Sequence, residues 1–165
     1  MSSYVEFKLY ERNFRYYSAE RIDIEFVGKK KTYWRQIKFY NNGIYKQIGF
    51  SVDGKEIKMK LHRVIYYAHN PKWDIYDASS NNLIDHRVHI DGVPLDNSIT
   101  NLRVVNIQQN AFNTNAKGYC FDKQTNKYLT EIQINGKKKH LGRFDTAEQA
   151  RNAYLEAKKI YHLIV

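Results

Sequence analysis

The chain holds a single cysteine, Cys120, which excludes an intramolecular disulfide and any zinc cage built on cysteine. A bound metal would have to use oxygen and imidazole ligands, so hard divalent cations are the natural guests. Long apolar runs are also missing: none approaches the roughly 20 residues of a membrane-spanning helix. The opening residues, MSSYVEFKLYERN, lack the apolar stretch of a signal peptide, and the expectation is a soluble, unexported protein. Acidic residues are the scarcer charge, 17 Asp and Glu against 27 Lys and Arg, for a net charge of +10. That excess favours a polyanionic partner, bound with release of counterions.

What is present reads as an α+β chain of 165 residues, enough for one ordinary domain or two small ones. From YWRQIKFY through GIYKQIGFSV to KEIKMKL, short β-branched and aromatic runs are separated by NNG and DG turns. Together they predict an antiparallel β-meander over residues 33–61. Residues 1–30 leave strand and helix both open. Over residues 61–70, Leu61, Val64, Ile65 and Ala68 recur at helical spacing before Pro71 ends the run. LIDHRVHI reads as a strand leading into the turn DGVPLDN, and the polar NIQQNAFNTN as a short helix ending near Asn115.

From Lys117 the texture changes. KGYCFDK, KYLTEIQI and KKKHLGRF read as three strands, the last two joined by Asn135-Gly136, and DTAEQARNAYLEAKKIYH as a helix. Asp145 and Glu148 suggest its capping box, and Ala150, Ala153, Tyr154, Ala157, Ile160 and Tyr161 its apolar face. Alternation would turn Tyr128, Thr130, Ile132 and Ile134 towards this helix. Lys127, Leu129, Glu131 and Gln133 would then stand on the opposite face, joined by Lys138, His140 and Arg143. The unit holds ten Lys or Arg against five Asp or Glu, and a basic three-stranded ribbon fits a major groove.

The chemistry-bearing stretch is DHRVHIDGVPLDNSITNLRVVNIQQN, residues 85–110. Asp, His and two Asn spread over strand, turn and helix are the groups a one-metal phosphodiesterase requires. A carboxylate and an amide oxygen hold the cation, a neutral imidazole takes the proton of the attacking water, and a second amide fixes its tautomer. The same residues also suit turns and helix caps, since Asn is abundant in this chain.

The stretch resembles the HNH nuclease signature: Asp-His, a Gly turn, Asp-Asn, then Asn-Leu-Arg and a last Asn nine residues on. The resemblance covers roughly residues 60–113, and LHRVIYYAHNP resembles the helix preceding this core in phage and viral homing endonucleases. It implies a ββα-metal core cutting double-stranded DNA with one divalent cation, Mg²⁺ or alternatively Mn²⁺. Asp85 and Asn110 would be the metal ligands, and Asn101 would orient the histidine. His89 lies 12 residues before Asn101, the separation usual in the family, and His86 lies 15 before it. Only His86 has a carboxylate beside it, and insertions in a turn cost little, so His86 is the expected general base and His89 secondary. Arg103 would hold a phosphate or serve structurally.

Residues 116–162 resemble an AP2-type DNA-binding domain, through YLTEI, HLGRF and the Ala-x-x-Ala-Tyr pattern. That implies DNA contacts from Lys117, Lys127, Glu131, Gln133, Lys138, His140 and Arg143. Leu129 and Cys120 depart from residues usual in that family. The expected organisation is a nuclease domain over residues 1–113 and a DNA-binding domain over 114–165, with no membrane and no obligate protein partner. The alternative is a DNA-binding protein with an inactive HNH core, which Val88 before His89 would suit. Nothing resembles an RNA-binding signature.

Overall fold

The computed structural model describes residues 3–87, 95–112 and 116–163. The chain divides into two compact units, residues 1–104 and 105–165. In the first, β1 (Val5–Leu9), β2 (Arg12–Ser18), β3 (Arg21–Val27) and β4 (Thr32–Gln36) form an antiparallel sheet in chain order. Residues 5–27, which the sequence left open, are therefore three strands. A second sheet holds β5 (Phe39–Asn42), β6 (Tyr45–Val52) and β7 (Lys55–Lys60). The expected meander over 33–61 is thus split. Thr32–Gln36 pairs back onto β3, and the chain breaks between the sheets at Ile37, whose N–H donates to the carbonyl of Ile22 at 2.9 Å.

Alternation explains which faces meet. Phe7, Leu9, Phe14, Ile22 and Ile24 turn inward from the first sheet, and Ile48 and Phe50 from the second. Phe14 stacks on Phe7 at 5.3 Å and meets Phe50 edge to face at 5.1 Å, joining the two sheets through one aromatic core. Helix α1 (Leu61–His69) follows β7 directly and buries Leu61, Val64, Ile65 and Ala68 in the same core, as its spacing predicts. Its Arg63 points the other way: the guanidinium donates to the carbonyls of Ile75, Asp77 and Asn82 at 2.8–3.1 Å and lies over the Trp73 ring. Arg63 and Asn82, whose amide accepts from Trp73 and donates to the carbonyls of Asp74 and Asp77, tie down the irregular segment 70–82 that delivers the chain to β8 (Leu83–His86). After a 3-10 turn at Ile99–Asn101, β9 (Leu102–Val105) pairs with β8.

The second unit opens with α2 (Ile107–Phe112) and continues with the sheet β10 (Tyr119–Asp122), β11 (Lys127–Ile134), β12 (Lys137–Phe144) and helix α3 (Ala147–Tyr161). Helix α2 contacts this sheet and α3. Gln108 donates to Asn135 at 3.2 Å, and the Phe112 and His162 rings stack at 4.0 Å. Asn135 and Gly136 both adopt positive φ, the two-residue hairpin turn their sequence predicts. Gly118 is required for a different reason: its φ is +77°, and a Cβ there would sit 2.0 Å from the Tyr154 ring.

Two details of α3 differ from expectation. Its N-cap is Thr146, whose Oγ1 accepts from the N–H of Gln149 at 3.2 Å, so the capping pair lies one residue beyond Asp145 and Glu148. The choice follows from backbone geometry, since Thr146 is the residue with extended φ and ψ at the helix entrance. On the apolar face Ala150, Tyr154 and Ala157 are buried and Tyr161 packs against them, but Ile160 stays 63% exposed. Among the described residues no helix is long and apolar enough to cross a membrane.

Candidate active site and DNA interface

β8 ends at the Asp-His pair, and both residues are buried, Asp85 at 8% and His86 at 3% exposure. Consecutive strand residues face opposite ways, so the two side chains find different partners. Asp85 Oδ2 accepts from Arg103 Nη2, on the neighbouring strand β9, at 3.2 Å. His86 Nε2 lies 3.0 Å from Oδ1 of Asn97. An amide oxygen only accepts, so Nε2 must carry the proton, and Nδ1 is left as the basic nitrogen.

The loop that presents Asn97 is built from its own polar side chains. Asp96 takes the N–H and the hydroxyl of Ser98 at 2.8 and 2.9 Å, and these bonds hold its carboxyl below the usual range. Asn101 donates its side-chain N–H to the Asp96 carbonyl at 2.8 Å, while its own carbonyl takes the N–H of Arg87 at 2.7 Å. The structure sets Asn97 against His86, and Asn101 braces the loop that presents it. Asn97, which the sequence reading did not single out, is the Asn of the Asp-Asn pair in the quoted motif.

Two further rings line His86. His62, second residue of α1, is buried and meets it edge to face with centroids 5.1 Å apart. Tyr45 of β6 lies 5.2 Å from His62 and 6.4 Å from His86. Burial, with the nearby charges of His86, Lys60 and Arg63, pushes the His62 imidazole down to about 3, so it is neutral under ordinary conditions.

His89 lies outside the described residues. Asn110 sits on α2 with an exposed side chain, in the second unit, and its N–H donates to Asn106. Among the described residues no three His, Cys, Asp or Glu side chains gather into a metal cluster. The expected donors, one carboxylate and one amide oxygen, would suit a hard cation that keeps water and phosphate oxygens as its remaining ligands. Arg103 pairs with Asp85, and its buried Nε has no hydrogen-bond partner among the described residues.

In the second unit the sheet register settles the faces. Leu129 opposes Arg143, Glu131 opposes His140 and Gln133 opposes Lys138, so all six side chains share one side. A bulge between Thr130 and Glu131 shifts the pairing by one and brings Arg143 into line with His140 and Lys138. Thr130 and Ile132 are buried on the other side, against α3. The cations of this surface pair with their own carboxylates: Lys127 with Asp145 at 3.1 Å, Lys138 with Glu131 at 3.4 Å and Arg143 with Asp122 at 3.7 Å. Such exposed pairs are weak and open to exchange for phosphate. Lys117, His140 and Cys120 are exposed. Part of the face is recessed, because Leu129, Glu131, Gln133 and Lys138 line a cavity of about 660 Å³ together with Gln108 and Phe112 of α2.

Residues 59–112, about a third of the chain, match the family described as HNH endonuclease. The matched segment runs from the end of β7 through α1, β8, the Asn97 loop and β9 to α2. The chain thus carries an HNH endonuclease domain, which supports a nuclease acting on DNA. No curated protein and no solved structure matches the chain.

Proposed function

We propose that the protein is a metal-dependent endonuclease that hydrolyses phosphodiester bonds in double-stranded DNA. The observation that carries this reading is the hydrogen bond between His86 Nε2 and Asn97 Oδ1 inside the segment that matches the nuclease family. With the Asn97 amide oxygen accepting at Nε2, the ring nitrogen of this buried imidazole that can take a proton is Nδ1, as a general base requires. In the reaction Nδ1 takes the proton of the attacking water, and the other proton stays on Nε2, donated to Asn97 Oδ1, while positive charge develops on the ring. Asp85 and Asn110 would hold a divalent cation, Mg²⁺ or Mn²⁺, which when bound supplies charge stabilisation at the leaving 3′ oxygen. Arg103 would give up Asp85 and turn to a phosphate oxygen. The β10–β12 sheet and α3 form the AP2-like module of this reading. Lys117, Lys127, Lys138, His140 and Arg143 contribute phosphate contacts, and Glu131 and Gln133 face base edges.

The test is incubation of the protein with supercoiled DNA of varied sequence, with and without Mg²⁺ or Mn²⁺. Nicking or linearisation that requires the metal supports the proposal. Binding without cleavage in either metal would favour the second reading, a DNA-binding protein with an inactive core. The observation behind that alternative is the Asp85–Arg103 ion pair, which already neutralises the expected metal ligand.

A further inference from the structure

His62 is buried against His86, yet no step of the proposed reaction uses it. The hydrogen bond to Asn97 fixes which nitrogen of His86 carries the proton, but that bond acts at one atom and does not by itself set the plane of the ring. Rotation about that contact would swing the Nδ1 lone pair away from a water while leaving the bond intact. A second constraint, on the plane of the ring, is needed to aim it.

The structure supplies that constraint from two elements distant in sequence. The His62 and His86 planes cross at 72°, the edge-to-face arrangement that imidazole and aromatic rings favour. His62 is in turn fixed by its place in the first turn of α1 and by Tyr45, whose ring is covered by the Lys60 ammonium 4.7 Å from its centre. We propose that His62, backed by Tyr45, is a positioning residue that sets the plane of the His86 imidazole and so the direction in which Nδ1 accepts its proton. The proposal rests on the nuclease reading of His86. It assigns His62 a role as a ring, with no proton passing through it.

The test compares His62→Ala and His62→Phe with the unaltered protein in metal-dependent cleavage. His62→Ala is expected to lower kcat by roughly 10- to 100-fold, the scale on which misplacing a reacting group acts, with KM changed less than about 2-fold. His62→Phe keeps a ring edge at the same place without a titratable nitrogen, and is expected to recover kcat to within about 3-fold. Full activity in His62→Ala, or a phenylalanine variant as slow as the alanine one, would overturn the proposal. ¹⁵N NMR of the imidazoles separates this outcome from failure of the nuclease reading, since it needs no turnover. His86 is expected as the Nε2–H tautomer in all three proteins, because Asn97 is unaltered, with its ring shifts displaced in His62→Ala and restored towards the original in His62→Phe. Unchanged ring shifts in His62→Ala would contradict the proposal even if the protein cleaved nothing.

Discussion

Asn97 and His62 act on the same imidazole through different physics, and substitutions at the two positions separate them. Asn97→Ala removes the acceptor that fixes the tautomer, so kcat is expected to fall by roughly 10²- to 10⁴-fold, the usual worth of a general base, while DNA affinity stays near its original value. Steady-state cleavage beside a binding titration checks both. His62 also leaves a signature on stability. Its folded-state value of about 3 lies below the ordinary 6.5, so the unfolded chain binds the extra proton first. The contribution is fully present above pH 6.5 and is lost progressively as pH falls towards 3, at about 1.4 kcal/mol per pH unit over that window. Denaturant unfolding between pH 7 and 4 is expected to show this slope, and His62→Phe to flatten it. An equal slope in the variant would assign the acid sensitivity to other groups.

Elements are held by single residues whose removal has calculable effects. Thr146→Ala deletes the cap of α3 and is expected to lower stability by about 1 kcal/mol, read as a downward shift of the denaturant midpoint. Gly118→Ala forces a Cβ into the Tyr154 ring at a positive φ, and the loss should exceed about 2 kcal/mol. The elements themselves were legible where a local signal exists: α1 from its apolar spacing, the β11–β12 hairpin from Asn135-Gly136, α3 from its alanine-rich face. They were less legible where pairing is long-range. Nothing in Thr32–Gln36 announces that it pairs with β3 rather than with the strands after it. Nor does β1, with exposed Val5 and Glu6 beside buried Phe7 and Leu9, carry a pattern long enough to decide between strand and helix. The bulge after Thr130 is likewise a property of the paired sheet, and it is what aligns Arg143 with its neighbours.

The site divides in the same way. Asp85 and His86 stand out as an adjacent pair in the sequence, whereas Asn97 and Asn101 are told apart only by the loop that folds them. His62 and Tyr45 reach the imidazole from α1 and β6, elements whose approach no motif spacing encodes. At the scale of the whole chain the charge is shared between two units, and the second carries ten Lys or Arg against five Asp or Glu in its last 49 residues, 117–165. Deleting residues 116–165 is expected to weaken DNA binding and to flatten the dependence of log Kd on log salt, as fewer counterions are released. An unchanged slope would place the phosphate contacts in the first unit.

The central claim is that a proton passes to His86 during hydrolysis of DNA. Its most direct test measures cleavage of supercoiled DNA in Mg²⁺ or Mn²⁺ by the unaltered protein, by His86→Ala and by His89→Ala, with DNA affinity measured for all three. The account predicts that His86→Ala binds DNA as before and does not cut it, since a base acts in the transition state more than in ground-state binding. It also predicts that His89→Ala loses far less. Full cleavage by His86→Ala, or its loss in His89→Ala alone, would contradict the account and remove the roles given to Asp85 and Asn97 with it.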